Sequence, residues 1–231
     1  MPDKISNGAL EGLKYLALLF MIGDHVNKYL FNATLPGLFE LGRLAMPLFG
    51  IVMAYNLARP GIADPHIKRL LIRLAVFGAV STPFFIALGG VKFGWWPLNI
   101  LFTLLIAAVV VRLLDSGRPV YVVLAVAIFL LAGSAVEFQW YGLAVVVTAW
   151  LYFDRATPWT LTLLILSCAS LWFINGNFYA LAALPLVFLA THINIELPRQ
   201  KWLFYGFYPV HLLALWLIRI PMAKAGYLFF M

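Results

Sequence analysis

Apolar runs long enough to cross a bilayer follow one another along almost all of the 231 residues, broken only by short polar turns. About 20 apolar residues in helical conformation span the hydrocarbon core of a membrane. In lipid the backbone must satisfy its own hydrogen bonds, so runs of this length fold as helices. Hydrophobic residues make up 64% of the chain and charged residues only 11%. The mean hydropathy is +0.96, and too few polar side chains remain to cover a water-soluble exterior. The expected fold is all-α, a polytopic transmembrane helical bundle.

The runs fall at about residues 13–31, 43–57, 70–88, 98–114, 120–135, 142–153, 159–174, 178–191 and 203–220, giving about nine membrane segments. Pro47 and Pro83 lie inside two of them and are expected to bend them. Asp115-Ser116-Gly117-Arg118-Pro119 reads as a tight turn whose proline opens the next helix. Asn175-Gly176-Asn177 reads as another turn. No linker or repeat divides the chain, so residues 1–231 are expected to form a single integral membrane domain.

The formal net charge of +7 is topological, because the basic residues lie between the runs. With a cytoplasmic N terminus, one side receives Lys4, Lys14, Arg59, Lys68, Arg69, Arg73, Arg112, Arg118, Arg155, Arg199 and Lys201. The other receives Lys28, Arg43, Lys92, Arg219 and Lys224. That bias favours N-in, and the partner it implies is membrane lipid, with no nucleic acid. Tryptophans near the run ends, such as Trp95, Trp96 and Trp159, fit an interfacial belt. The lone Cys168 sits in an apolar run and reads as packing.

Asp24 and His25 interrupt the first run. Ionisable groups at membrane depth face a protein interior or a wet cavity, where they are poised for proton transfer. His211 is the second candidate, in Phe207-Tyr208-Pro209-Val210-His211, where the proline re-aims the local turn. The two histidines come from opposite ends of the chain and are candidates to line one cavity. Arg43, in Gly42-Arg43-Leu44-Ala45-Met46-Pro47, either snorkels or grips a phosphate or carboxylate, with Asp24 as a possible partner. Arg69 and Arg73, beside Lys68, share one helix face; they anchor the cytoplasmic side or meet a nucleotide phosphate. Glu137 and Glu196, near run ends, read as solvated. There is no HExxH or paired CxxC, no P-loop, no dinucleotide glycine pattern and no GxSxG elbow, so no metal is expected.

Three segments together resemble the TraX family, membrane proteins associated with N-terminal acetylation of conjugative pilin. They are Leu13-Lys14-Tyr15-Leu16-Ala17 leading to Gly23-Asp24-His25, Gly42-Arg43-Leu44-Ala45-Met46-Pro47-Leu48-Phe49, and Phe207-Tyr208-Pro209-Val210-His211-Leu212. More distantly, the plan is similar to that of multi-span membrane acyltransferases. The resemblance implies a bacterial inner-membrane acetyltransferase using acetyl-CoA, with pilin or another envelope amine or hydroxyl as acceptor. It marks Asp24, His25 and His211 as catalytic candidates and Arg43 as a site residue; Arg69 and Arg73 are the candidates for the donor's phosphates. Two rivals stand beside it: a proton-coupled small-molecule transporter using the same Asp24, His25 and His211, and an assembly partner whose buried polar groups only lock helices together.

Overall fold

A computed structural model describes residues 4–227; the end of the expected apolar tail, residues 228–231, lies outside the described residues. The order of helices is α1 (Asn7–Leu30), α2 (Pro36–Gly42), α3 (Ala45–Leu57), α4 (Asp64–Ala87), α5 (Ile100–Asp115), α6 (Pro119–Gly133), α7 (Gln139–Asp154), α8 (Pro158–Ser170), α9 (Trp172–Asn175), α10 (Ala183–Thr191) and α11 (Lys201–Lys224), with a 3-10 turn at Tyr179–Ala182 before α10. Local chemistry explains the starts. Ser6 and Asn99 cap α1 and α5 by accepting from Ala9 and Leu101 backbone N–H groups. Thr157 and Thr160 form a capping box on α8. Pro36, Pro119 and Pro158 open their helices, where a missing N–H is harmless.

Each expected run has a helical counterpart. Among the described residues, four stretches are long and apolar enough to cross a membrane: Pro36–Leu57, Asp64–Ala87, Pro158–Asn175 and Trp202–Lys224. The chain is thus a multi-pass helical bundle. Helix α1 has comparable length, 24 residues, but carries Glu11, Lys14, Asp24 and Lys28. Helices α5, α6, α7 and α10 are shorter.

The expected bend at Pro47 falls elsewhere. The chain breaks between α2 and α3, at Arg43 and Leu44, and Pro47 lies in the first turn of α3. A proline there lacks an N–H that has no helical acceptor anyway. Pro83, Pro209 and Pro221 sit inside α4 and α11, and both helices run on past them.

Helix α3 is the hub. It is apolar on every side, which suits a helix surrounded by others, and Leu48, Ile51 and Ala54 are among its fully enclosed residues. It packs against α1, α5, α7 and α10, while α1 also packs against α2 and α11, and α11 against α4. Close approach between α3 and α7 depends on small residues: a Cβ on Gly142 would stand 2.9 Å from the Met46 Cε methyl. The contact of α1 with α11 is what brings the two ends of the sequence together.

Candidate functional site

Four residues of α1 form one stripe. Lys14, Leu18, Met21 and His25 follow each other at steps of four, three and four, so they share a helix face. On α11, Phe204, Tyr208 and His211 do the same. Lys14, Leu18, Met21, Phe204 and Tyr208 all line one cavity of about 540 Å3. In both helices the histidine is the next residue on the same face. His25 lies about 16 Å along the α1 axis from Lys14, at 1.5 Å per residue.

The outer end of this cavity is strongly cationic, with Arg59, Arg69, Arg73 and Arg199 among its lining. Arg69 and Arg73 fall on one face of α4, as their spacing predicts. Arg73 lies 4.7 Å from the centre of the Trp202 ring and 5.6 Å from that of Tyr205, cation–π distances that hold a guanidinium without neutralising it. Lys14 is bonded to Glu11 at 2.5 Å and sits over the Phe204 ring. The middle of the cavity is apolar, with Met53, Leu70 and Leu104. Its inner end is formed by Ile100 and Tyr208, and Tyr208 packs beside both histidine rings, 6.4 Å from His25 and 5.5 Å from His211 between centroids.

The histidines touch. His25 Nδ1 and His211 Nε2 are 2.6 Å apart, with their rings tilted by only 7°. His211 Nδ1 lies 3.1 Å from the Phe207 carbonyl oxygen. A carbonyl only accepts, so His211 Nδ1–H is the donor there. In the neutral pair His211 Nε2 is then bare and accepts from His25 Nδ1–H, which leaves the lone pair of His25 on Nε2. One backbone carbonyl therefore sets the tautomers of both rings.

Asp24, one position away, faces a different partner. It forms an ion pair with the Arg43 guanidinium, whose Nε donates to Phe39 O and whose Nη1 donates to Asn175 Oδ1. Phe39 also stacks on the guanidinium at 4.3 Å. Gly42 makes this joint possible: a Cβ there would stand 2.4 Å from Asp24 Cβ and 2.8 Å from its Oδ1. Arg43 thus does not stand with Arg69 and Arg73 in the cavity lining. It belongs to the inner network.

Two further residues join this end without having been expected there. Glu137, read from the sequence as solvated, is half-buried and interacts electrostatically with Lys28, Asp24 and Arg43. Burial raises its carboxyl above the ordinary glutamate value, while Lys28 opposes the rise. Its backbone is pinned by a short bridge, Glu137 N–H donating to Leu98 O at 2.8 Å. Phe138 and Gln139, which follow it, both adopt positive φ, at 65° and 47°, a strained geometry for residues with a Cβ. Asn175, expected only to turn the chain, is 7% exposed and braces Arg43. A polar residue beside Gly176 has an obvious turn role, which hides any other. Cys168 is fully buried among apolar residues, as packing requires. Among the described residues, no group of three His, Cys, Asp or Glu side chains is placed to hold a metal ion.

The fold and site together define a multi-pass helical membrane protein with a basic-mouthed cavity whose inner end, at Tyr208, abuts a histidine pair outside the lining. A family model described as TraX protein matches residues 9–219, and the chain belongs to that family. It is similar to "Protein TraX" of Escherichia coli (strain K12), 36% identical over 103 residues, which is 45% of this chain and 39% of the relative. A second "Protein TraX", from Escherichia coli, is 34% identical over the same shares of the two chains. The chain thus spans 39% of the length of these curated relatives. No solved structure matches it. As a TraX-family chain with several apolar helices, it is a multi-pass protein of the bacterial inner membrane.

Proposed function

We propose that the protein is a membrane-embedded acetyltransferase that moves an acetyl group from acetyl-CoA to an amine or hydroxyl acceptor. The observation that carries this reading is the continuity of one cavity from four arginines to the ring beside the histidine pair. Its chemistry fits the donor in sequence: arginines left unpaired among the described ion pairs for phosphates, apolar walls for the narrow pantetheine arm, and a proton acceptor beside the far end. Arg69 and Arg73, with Lys14 and Arg199, are assigned to the phosphates. The basic bias of the sequence supports a cytoplasmic mouth in a bundle of about nine segments with the N terminus inside. Pilin is the acceptor suggested by the family resemblance.

Bound in the cavity, acetyl-CoA supplies a thioester whose carbonyl carbon takes the acceptor's nitrogen or oxygen as the C–S bond breaks. His25 Nε2, the bare nitrogen of the pair, takes the proton released by the acceptor. His211 Nε2 accepts from His25 Nδ1–H and so stabilises the imidazolium that forms. The Phe207 carbonyl holds His211 in the tautomer this requires. The proton then passes from His25 to the departing sulfur, and the pair returns to its starting state. Asp24 acts at a distance from this step, by fixing Arg43.

The test is thiol release by purified, detergent-solubilised protein given acetyl-CoA and a panel of amine and hydroxyl acceptors. Acceptor-dependent release that disappears in His25→Ala is expected. Absence of both release and acetyl-CoA binding, with proton-dependent uptake in sealed vesicles, would replace this reading by the transporter.

A further inference from the structure

The joint between α1 and the break that separates α2 from α3 holds more hydrogen-bond donors than its own structure uses. Asn175 is more than nine-tenths buried. Its Oδ1 accepts from Arg43 Nη1 at 3.3 Å, and that contact fixes which way the amide points, because a guanidinium only donates. The other end of the amide, Nδ2, is buried and has no acceptor among the described residues. The turn does not need this amide. Gly176 reverses the chain with φ of 70°, and it is Asn177 whose Oδ1 accepts from Tyr179 N–H in the following turn.

Arg43, bonded to the same amide, also has donors to spare. A guanidinium carries five N–H groups. One is taken by Phe39 O, one by Asn175 and one by Asp24, which leaves two among the described partners. The Asp24 carboxylate offsets the arginine's charge, so the joint is poorly suited to a phosphate dianion. It suits an oxygen that is neutral or carries one charge. Its neighbour along α1 is His25, and Arg43 lies within electrostatic range of that imidazole.

We propose that Arg43 and Asn175 form a buried subsite for a carbonyl or carboxylate oxygen of a bound substrate. The choice of substrate rests on the acetyl-transfer reading and has two sources: the thioester carbonyl, whose oxygen gains charge under attack, or a carbonyl of the acceptor. Donors aimed beforehand at such an oxygen act most strongly in a water-poor interior. Asn175 is then a substrate-binding residue, and its bond to Arg43 is the means of orienting the donor.

Asn175→Asp separates the two jobs of this side chain. It keeps an oxygen for Arg43 and replaces the Nδ2 donor by a second acceptor. At least a tenfold loss of kcat/KM is expected with acetyl-CoA and the best acceptor of the panel. A fall in kcat with both KM values unchanged identifies the thioester oxygen. A rise in the acceptor's KM alone identifies the acceptor's carbonyl. Asn175→Gln, which retains an amide donor, restores part of the loss. Wild-type kcat and KM in N175D would overturn the subsite and leave Asn175 as a brace. A second arm needs no turnover: acetate, as a carboxylate probe, raises the Tm of the wild-type protein and not of N175D. Equal shifts in both overturn the subsite whether or not the protein consumes acetyl-CoA. A shift confined to wild type, without acetyl transfer, keeps the subsite and sinks the transfer reading. If N175D does not fold, Asn175→Ser gives the same readouts with the amide donor removed.

Discussion

The mouth of the cavity and the polar network beyond its inner end hold their charges in opposite ways. At the mouth, Arg69 and Arg199 are exposed and Arg73 rests on aromatic faces. No carboxylate is paired with Arg69, Arg73 or Arg199 among the described ion pairs. Beyond the inner end, outside the lining, Arg43 is held by Asp24, Asn175, the Phe39 carbonyl and the Phe39 ring together, and His25 by His211. Loose cations attract a mobile polyanion over a distance and give it up again. Fixed polar groups hold reacting atoms in place. Under the proposed function, this is the difference between capture and chemistry.

The sharpest way to break this contrast is His25→Ala. Removing the base is expected to lower kcat by about 10²–10⁴-fold with little change in donor KM, the usual span for general base catalysis. His211→Ala should fall short of that, at roughly 10–100-fold, because His25 keeps Nε2 and loses only its partner. Gly42→Ala probes rigidity of the Asp24–Arg43 joint without removing a polar group. Its Cβ would overlap Asp24, and overpacking of this kind destabilises by about 1–3 kcal/mol, visible as a lower Tm.

The mouth should answer differently. Arg69→Ala and Arg73→Ala are each expected to raise donor KM by several-fold and leave kcat unchanged. Raising salt from low to about 0.5 M should do the same, since exposed charges are screened within about a Debye length. A donor KM insensitive to salt would remove the mouth from the account. The smallest effect is expected for Arg155→Ala, whose pair with Asp154 is exposed at 82% and 40%; stability should stay within about 0.5 kcal/mol of wild type.

Much of this was legible in the sequence because membrane depth makes polar residues conspicuous. Asp24, His25, Arg43 and His211 stand out against apolar neighbours, and Asp24 does meet Arg43 while His25 meets His211. The helical segments follow from run length and turn residues. Whether a short segment such as α6 or α10 crosses the bilayer does not, because tilt and neighbours decide that. Lys14 was hidden by its place among topological charges, although its spacing from His25 on α1 carried the signal. Glu137 and Asn175 were hidden for another reason. Each sits at a helix boundary, where polar residues are ordinary, and only the packing of α7 on α3 and the bond of Asn175 to Arg43 show them turned inward. The break at Arg43 was placed at Pro47 because a proline draws attention that its first-turn position does not justify.

The central claim is that the cavity carries the donor from the arginines to the histidines. Cys168 is buried, so one introduced thiol can be followed cleanly. Met53→Cys places that thiol in the apolar middle of the cavity, between its cationic mouth and its inner end at Tyr208. The decisive measurement is the rate at which a maleimide labels this cysteine with and without saturating acetyl-CoA. Strong slowing by acetyl-CoA, relieved in the Arg69→Ala, Arg73→Ala background, is predicted. An unchanged labelling rate at saturating acetyl-CoA would contradict the account.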